Sequence, residues 1–298
     1  MIALNVGAVL FGSNQVVIKS VEHDLSPNSL SALRFLIAAV CFSPLAVKGL
    51  QKAKLRTAAL ELGFWLFGGY TAQALGLEYT TAAKGAFTGT FTVIAVPLLV
   101  GFSGRKVPAT TWAAAVVALA GVGLLTTGGS GFTWGDALCI GSAVLFGVHK
   151  FRTETVTAQF KDDTQQLVAV QLLVLAVISS IVCLPELVDV VHGRSPGEVL
   201  ELASELPWLA LAFMGLGTTA LTLWIEMSAL KQISAPLAAL IYTSEPLWGA
   251  LFAWVVLDER WGSTGWVGAF LIVASSLAAQ LSGQDVKAED LSLSNKDS

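Results

Sequence analysis

Long apolar stretches separated by short polar segments run along the whole chain, and they predict its architecture. A helix that crosses a hydrocarbon core of about 30 Å needs roughly 20 apolar residues. Ten stretches meet this requirement: 2–19, 27–47, 57–77, 84–103, 109–127, 134–151, 164–184, 206–225, 232–256 and 262–281. They are rich in Ala, Leu and Gly and lack the alternation of barrel strands, so we predict an all-α membrane protein with ten transmembrane helices.

The polar segments carry most of the charge and predict little regular structure. The connection at 185–205 is polar and acidic and is expected to hold a short extra helix. The tail from Gly283 is expected to be disordered, because it is too polar to bury a core. The first apolar stretch begins almost at Met1 without the basic region of a signal peptide, which predicts a span and leaves open whether a leader is missing.

The distribution of Lys and Arg predicts the orientation. With the N-terminus inside, the inner loops and tail carry Lys48, Lys52, Lys54, Arg56, Arg105, Lys106, Lys150, Arg152, Lys161, Lys231, Lys287 and Lys296. The outer loops carry only Lys19, Lys84, Arg194 and Arg260. The positive-inside rule therefore places both termini on the cytoplasmic or stromal side. A bacterial inner membrane and a plastid envelope fit equally well.

Two parts of the chain resemble each other. The segment AVLFG occurs at 8–12 and again at 143–147, and Trp112 to Ala120 aligns with Trp266 to Ala274. Leu30, Arg34 and Phe35 fall opposite Leu167, Gln171 and Leu172, and Pro97 and Pro246 recur in spans 4 and 9.

This series predicts a first repeat at 1–130, a second repeat at 131–282 and a polar tail at 283–298. Five spans in each repeat is an odd number, so the second repeat is inverted in the membrane relative to the first. Inverted repeats around a central cavity are typical of transporters that alternate access to one site.

Composition and charge exclude several other classes of protein. The chain is 54% hydrophobic and only 13% charged, against about 25% charge in soluble domains. A net charge of -4 gives no basic surface for nucleic acid. The three cysteines lack CxxC spacing and the three histidines are far apart, so we expect no metal, no cofactor and no enzyme activity. The expected partners are a small-molecule substrate and the lipid bilayer, with a homodimer left open.

Four segments carry a resemblance to a known family. They read ALRFLIAA (32–39), GLEYTTAAKGAFTGTFTVIAVPLL (76–99), WGDALCIGSAVLFG (134–147) and ALKQISAPLAALIYTSEPLWGALFAWVVLDERW (229–261). Together they resemble the EamA-type transporters of the drug/metabolite transporter superfamily, over nearly the whole chain to Gly283. The resemblance implies a ten-helix inverted-repeat fold and export or exchange of small metabolites, amino acids among them.

Two charged residues inside predicted spans are candidates for transport, because a charge in lipid costs several kcal/mol. Arg34 could bind a substrate carboxylate, or it could brace carbonyls or reach the outer surface. Glu245, directly before Pro246, could take up and release a proton, or it could anchor a kinked helix. Glu226 is expected at the membrane interface. The sequence shows no buried cluster of cations, which argues against phosphate esters as substrates.

Polar and aromatic residues inside the spans predict a substrate pathway. In span 9, Ala238, Tyr242, Glu245 and Gly249 would share one face of a continuous helix. The alternative for the aromatic residues is an interfacial position. The predicted pathway consists of Asn14, Arg34, Tyr70, Gln73, Thr88, Phe91, Trp224, Tyr242, Glu245 and Trp248.

The function that these features favour is secondary transport of small organic metabolites, such as amino acids or related amphipathic solutes. The chain contains no GxxxxGK[ST] motif with which it would use ATP. The alternative is a membrane protein that does not transport in this way and acts as a pore or a signalling component.

Overall fold

A computed structural model describes residues 2–21, 25–77, 79–80, 89–125, 133–256, 262–275 and 277–278. This part of the chain is helical and contains no strand. The helices are α1 (Ile2–Val21), α2 (Pro27–Gln51), α3 (Ala53–Leu77), α4 (Thr92–Phe102), α5 (Ala109–Leu125), α6 (Trp134–Gln159), α7 (Thr164–Val191), α8 (Pro196–Ser204), α9 (Trp208–Leu230), α10 (Ala235–Tyr242), α11 (Glu245–Val256) and α12 (Ser263–Ser275). The predicted tail lies outside the described residues, and spans 4, 5 and 10 are described in part.

Three stretches are long enough and apolar enough to cross a membrane: Pro27–Gln51, Lys161–Val191 and Trp208–Leu230. Shorter apolar helices are found at Ile2–Asn14, Thr92–Phe102, Ala109–Leu124 and Ser263–Ser275. Large apolar side chains such as Leu36, Ile181 and Phe270 are exposed on the outside of the bundle. An all-helical fold with an apolar exterior fits a membrane protein. Ten spans in two inverted repeats stay a prediction.

Local sequence signals begin several helices. The Ser26 hydroxyl accepts the Ser29 N–H, and Pro27 follows as the first residue of α2. Thr133 and Asp136 form a capping box that starts α6. A second capping box, between Ser195 and Glu198, starts α8. The short helix predicted within 185–205 is therefore confirmed.

The helices pack across the chain instead of only with their neighbours in sequence. α2 packs along α7, and α3 contacts both α6 and α7. α1 packs on α11 and α9, while α4 packs on α6 and α10. The largest apolar core lies where α2, α3, α7 and α9 meet, and it includes Phe35, Leu62, Leu167, Leu175 and Met227.

Span 9 is not one continuous helix, so the expectation of a single face from Ala238 to Gly249 is wrong. It consists of α10 and α11, separated by a turn at Thr243 and Ser244. The Thr243 hydroxyl donates to Leu240 O (2.6 Å) and the Ser244 hydroxyl to Ile241 O (2.8 Å). Pro246 has no N–H to continue the helical ladder. Both carbonyls also accept backbone N–H groups three residues further on, from Thr243 and Ser244, so the chain tightens into a turn before Glu245.

The middle of α9, Phe213–Leu221, is π-helical. Threonine hydroxyls satisfy carbonyls here: Thr218 donates to Met214 O (3.1 Å) and Thr222 to Thr218 O (2.6 Å). Gly215 lies against α2, because a Cβ on it would be 2.6 Å from Arg34 O. The wide turn thus lies where α9 crosses α2.

Candidate functional site

The Arg34 side chain is buried between aromatic rings inside the bundle. It is 7% exposed, and its guanidinium carbon lies 4.5 Å from the Phe35 ring centroid and 5.0 Å from that of Tyr70. These cation–π contacts hold the guanidinium away from the surface. Its Nε atom is buried and has no hydrogen-bond partner among the described residues. Arg34 therefore presents an unused donor to the interior.

Tyr70 joins this group to the second half of the chain. Its ring centroid lies 5.3 Å from that of Phe35 on α2 and 5.2 Å from that of Phe146 on α6. Contacts at these distances and tilts are favourable between aromatic rings. Three helices thus supply one aromatic wall beside Arg34.

A buried ion pair joins α6 to α9. Lys150 Nζ lies 2.5 Å from Glu226 Oε2, and the two side chains are only 12% and 6% exposed. Lys150 Nζ also lies 4.3 Å from the centroid of the Tyr242 ring. Lys150 therefore lies within α6 and not in a loop, and Glu226, which was expected at the membrane interface, is buried among helices. Both helices continue beyond the predicted span ends, to Gln159 and Leu230, and turn these side chains inward.

A short hydrogen-bonded chain lies next to this pair in the core. His149 Nδ1 lies 3.9 Å from Glu226 Oε1, too far for a hydrogen bond. His149 Nε2 lies 2.9 Å from Gln171 Oε1, and the Gln171 amide donates to Met227 Sδ at 3.0 Å. Sequence reasoning did not include His149 or Gln171 in the pathway.

Tyr242 is buried at the centre of the site. Its ring packs edge-on against Phe11, with centroids 5.6 Å apart. Its hydroxyl is buried and has no hydrogen-bond partner among the described residues. Gly7 allows the hydroxyl to approach α1, since a Cβ there would be 2.9 Å from it. Phe146, which contacts Tyr70, and Lys150, which contacts Tyr242, lie one turn apart on α6, and this helix connects the two groups.

Two further candidates lie where α1 meets its neighbours. Asn14 is buried, and its Oδ1 accepts the Thr218 hydroxyl at 2.7 Å from the π-helical segment of α9. Trp248 packs on α1 through Gly12, where a Cβ would lie 2.6 Å from Trp248 Cβ and 2.7 Å from Gly249 N. Both contacts fix α1 against the second half of the chain.

The remaining candidates are less enclosed. Glu245 is half-buried at the start of α11. Gln73 and Phe91 are also half-buried. Trp224 is 38% exposed on α9, unlike its buried neighbours. Thr88 lies outside the described residues.

Ionic contacts at the predicted inner end lie outside this site. Arg105 Nη2 donates to Glu154 Oε1 at 2.6 Å, which raises the pKa of Arg105 above its usual value. Glu154 Oε2 accepts the backbone N–H of Ala235 at 3.1 Å and so caps α10. Arg152 makes two hydrogen bonds to Glu61, at 2.6 and 3.0 Å. Glu61 on α3 and Glu154 on α6 thus connect the helices at this end of the bundle.

Comparisons with known proteins place the chain among transporters. The model of the EamA-like transporter family matches residues 1–127 and 133–279. An uncharacterized transporter of Archaeoglobus fulgidus is 33% identical over 141 residues, which cover 47% of this chain and 44% of that protein. The putative permease-like protein YdzE of Bacillus subtilis is 32% identical over 65 residues, 22% of this chain and 83% of that protein.

A protein of known crystal structure has the same fold. It is 19% identical in sequence and superposes with a TM-score of 0.74, covering 95% of this chain and 97% of its own. The match to the archaeal relative covers less than half of that protein's length. The sequence relatives therefore support the family, and the crystal structure supports the fold.

Proposed function

Because the chain belongs to the EamA-like transporter family, we propose that it is a secondary transporter, an exporter or exchanger of small organic metabolites. Amino acids and related amphipathic solutes are the proposed substrates. The single observation that carries the proposal is the buried Nε of Arg34, which has no hydrogen-bond partner in the described chain. A buried donor without a partner costs about 1–3 kcal/mol, and a bound polar group would recover this cost.

The walls of the site suit a solute with one apolar part and one polar end. Phe35, Tyr70, Phe146 and Tyr242 supply aromatic faces on which an apolar part can stack. Arg34 supplies a guanidinium that can bind a carboxylate through two parallel hydrogen bonds. Small-molecule sites commonly combine such apolar walls with a few polar groups.

Helix packing supports two structurally equivalent halves, 1–130 and 131–282. If the two halves are equivalent, span 1 corresponds to span 6, span 3 to span 8 and span 4 to span 9. The contact between α3 and α6 then corresponds to the contact between α9 and α1. In the same way, the contact between α4 and α6 corresponds to the contact between α11 and α1. Both contacts occur, as this symmetry requires, and the family model matches two stretches of similar length.

The repeated AVLFG segment has the same packing role in each half. Gly12 ends the first copy and lies against α11. Gly147 ends the second copy and lies against α4, where a Cβ on it would be 3.1 Å from Ala95 Cβ. In an inverted repeat, such equivalent crossings let the halves exchange conformations and open a central cavity to each side in turn. We place both termini on the cytoplasmic or stromal side of the membrane.

Glu245 is proposed to couple transport to protons. It follows the break at Thr243 and Ser244 and begins α11. Carboxyl groups at a break in a membrane helix can gain and lose a proton as the local structure changes. Its position three residues after Tyr242, with its backbone carbonyl close to Gly12 of α1, supports this proposal.

Counterflow into proteoliposomes tests the function. Vesicles containing the purified protein are loaded with one member of a panel of amino acids, nucleosides and organic acids, and uptake of the labelled solute is measured. We expect counterflow for at least one amphipathic member, with loss of rate in Arg34→Gln. Arg194→Gln, at an exposed position, serves as the control. Absence of counterflow across the panel contradicts the proposal.

A further inference from the structure

The ammonium group of Lys150 lies in a site built from two other helices. Glu226 on α9 supplies the carboxylate, 2.5 Å away, and Tyr242 on α10 supplies the face of its ring, 4.3 Å away. A carboxylate beside an aromatic face is the arrangement with which proteins bind ammonium ligands, through charge-assisted hydrogen bonds and cation–π attraction.

We propose that Glu226 and Tyr242 form a binding subsite for the ammonium group of an amine-bearing solute, and that Lys150 occupies this subsite when the solute is absent. This inference rests on the proposed transport function and identifies the polar group that the solute carries. Lys150 then acts as a tethered substitute for the ligand, and the solute displaces it.

The hydrogen bonding of the site is incomplete in the way that this inference requires. An ammonium group has three donors, and Lys150 Nζ makes one hydrogen bond to a described residue, the bond to Glu226. The Tyr242 hydroxyl is buried and interacts with the Glu226 carboxylate, but it makes no hydrogen bond of standard geometry with a described residue. A solute that brings a further polar group next to its amine could satisfy this hydroxyl, which Lys150 leaves unsatisfied.

The chemistry of lysine suits a temporary occupant. Its ammonium is a compact charge on a flexible stem of four carbons, unlike the rigid fork of arginine. Lys150 is 12% exposed, so its stem lies at the edge of the buried region and has a route outward. Arg34, by contrast, is held between two rings.

The exchange of Lys150 for a solute ammonium also keeps the negative charge of Glu226 compensated. A buried carboxylate without a cation costs several kcal/mol unless it takes up a proton, so an ionised Glu226 needs a positive partner while the site is empty. Lys150 supplies the charge in that state, and the solute ammonium supplies it when bound. Glu226 is therefore paired in both states, and the bound solute changes the site by adding one positive charge and freeing Lys150.

Chemical rescue of a lysine variant tests the subsite. The thermal unfolding midpoint of the full-length Lys150→Ala protein is measured in detergent, with and without propylammonium chloride, and with 1-propanol as the uncharged control. We expect propylammonium to raise the midpoint by about 2–4 °C and propanol to leave it unchanged. The unfolding midpoint of the wild-type protein should rise less, because Lys150 competes with propylammonium for the same position.

The double variant Lys150→Ala/Glu226→Gln decides the interpretation. This variant keeps the space left by the Lys150 side chain but lacks the Glu226 carboxylate, so propylammonium should no longer raise its unfolding midpoint. An equal shift in the single and the double variant, or no shift in the single variant, overturns the proposal. If Lys150→Ala does not fold, Lys150→Met retains the aliphatic stem and is measured in the same way.

The rescue does not depend on transport, so its result is separate from that of the counterflow experiment. Counterflow without rescue contradicts the ammonium subsite alone. Rescue without counterflow supports the subsite and contradicts the proposed function.

Discussion

Lys150 and Glu226 form an ion pair of 2.5 Å within a largely apolar helical bundle, at positions 12% and 6% exposed. The two residues come from α6 and α9, so the pair fixes the relative rotation of these helices. Removing one partner leaves an uncompensated buried charge, which typically costs about 3–5 kcal/mol.

The first prediction concerns this coupling. Glu226→Gln and Lys150→Met should each lower the unfolding midpoint strongly, whereas the double variant should recover a large part of the loss. Denaturation of all four proteins in one detergent gives the coupling energy from the double-mutant cycle. Additive losses would show that the two charges are not coupled in the folded protein.

The second prediction concerns the crossing of α1 and α11. Gly12→Ala places a Cβ 2.6 Å from Trp248 Cβ, so the helices must separate, at a cost of about 1–3 kcal/mol. Gly101→Ala is the matched control, because no atom lies within 4 Å of its added Cβ and alanine favours helix. Thermal unfolding should show a lower midpoint for the first variant only. Equal midpoints would mean that the crossing is not close.

The third prediction separates two roles of Arg34. If its guanidinium binds a substrate carboxylate, Arg34→Gln should weaken apparent affinity by about 10–100-fold, the equivalent of one charged hydrogen bond. Arg34→Lys keeps the positive charge but lacks the planar guanidinium, so its apparent affinity should lie between those of the wild type and Arg34→Gln. Concentration dependence of counterflow gives the affinities. A loss of thermal stability with unchanged affinity would assign Arg34 a structural role.

The fourth prediction concerns Glu245. If this carboxyl couples transport to protons, Glu245→Gln should remove the dependence of uptake on an imposed pH gradient while counterflow at equal pH continues. Fluorescence of a pH-sensitive dye inside proteoliposomes reports proton movement alongside uptake. Wild-type pH dependence in this variant would exclude Glu245 as the coupling group.

The fifth prediction concerns acid sensitivity of α8. The backbone N–H and hydroxyl of Ser195 hydrogen-bond with Glu198 and hold the pKa of its carboxyl below the usual 4.5. A lowered pKa in the folded state stabilises the cap above pH 4.5, and this contribution is lost as the pH falls through the lower value. The protection factors of amides at the start of α8, which correct the exchange rates for their intrinsic pH dependence, should therefore fall in acid. Glu198→Gln should have lower protection factors at neutral pH, and these should change little on acidification.

Hydrophobic periodicity predicted the helices well, because a long apolar run has few alternatives in lipid. It was less reliable for the environment of single residues, because side chains outside the apolar run decide whether a charged residue is buried. Lys150 and Glu226 lie near the polar ends of their runs, so the sequence predicted an inner loop for Lys150 and the membrane interface for Glu226. Pairing offsets part of the cost of burying each charge, and a hydropathy scale that treats residues singly does not include this compensation.

The break in span 9 shows a similar limit. The sequence Thr243-Ser244-Glu245-Pro246 predicted a bend at the proline, and the proline is part of the cause. The two hydroxyls that bond back to Leu240 and Ile241 were not anticipated. Hydroxyl groups have several local partners, and only the folded geometry selects among them. Candidates on either side of the break, Tyr242 and Glu245, therefore do not share one helical face.

The π-helical segment Phe213–Leu221 in α9 has a consequence for the tolerance of the chain to deletions. A π-turn accommodates one residue more than an α-turn. Removing a single residue there could restore an ordinary ladder while Trp208 and Glu226 keep their directions. The same deletion in a regular helix rotates everything that follows by about 100°. The π-helical segment therefore has the form of a one-residue insertion into an α-helix. Deletion of one residue should be tolerated in this part of α9 but not in α7.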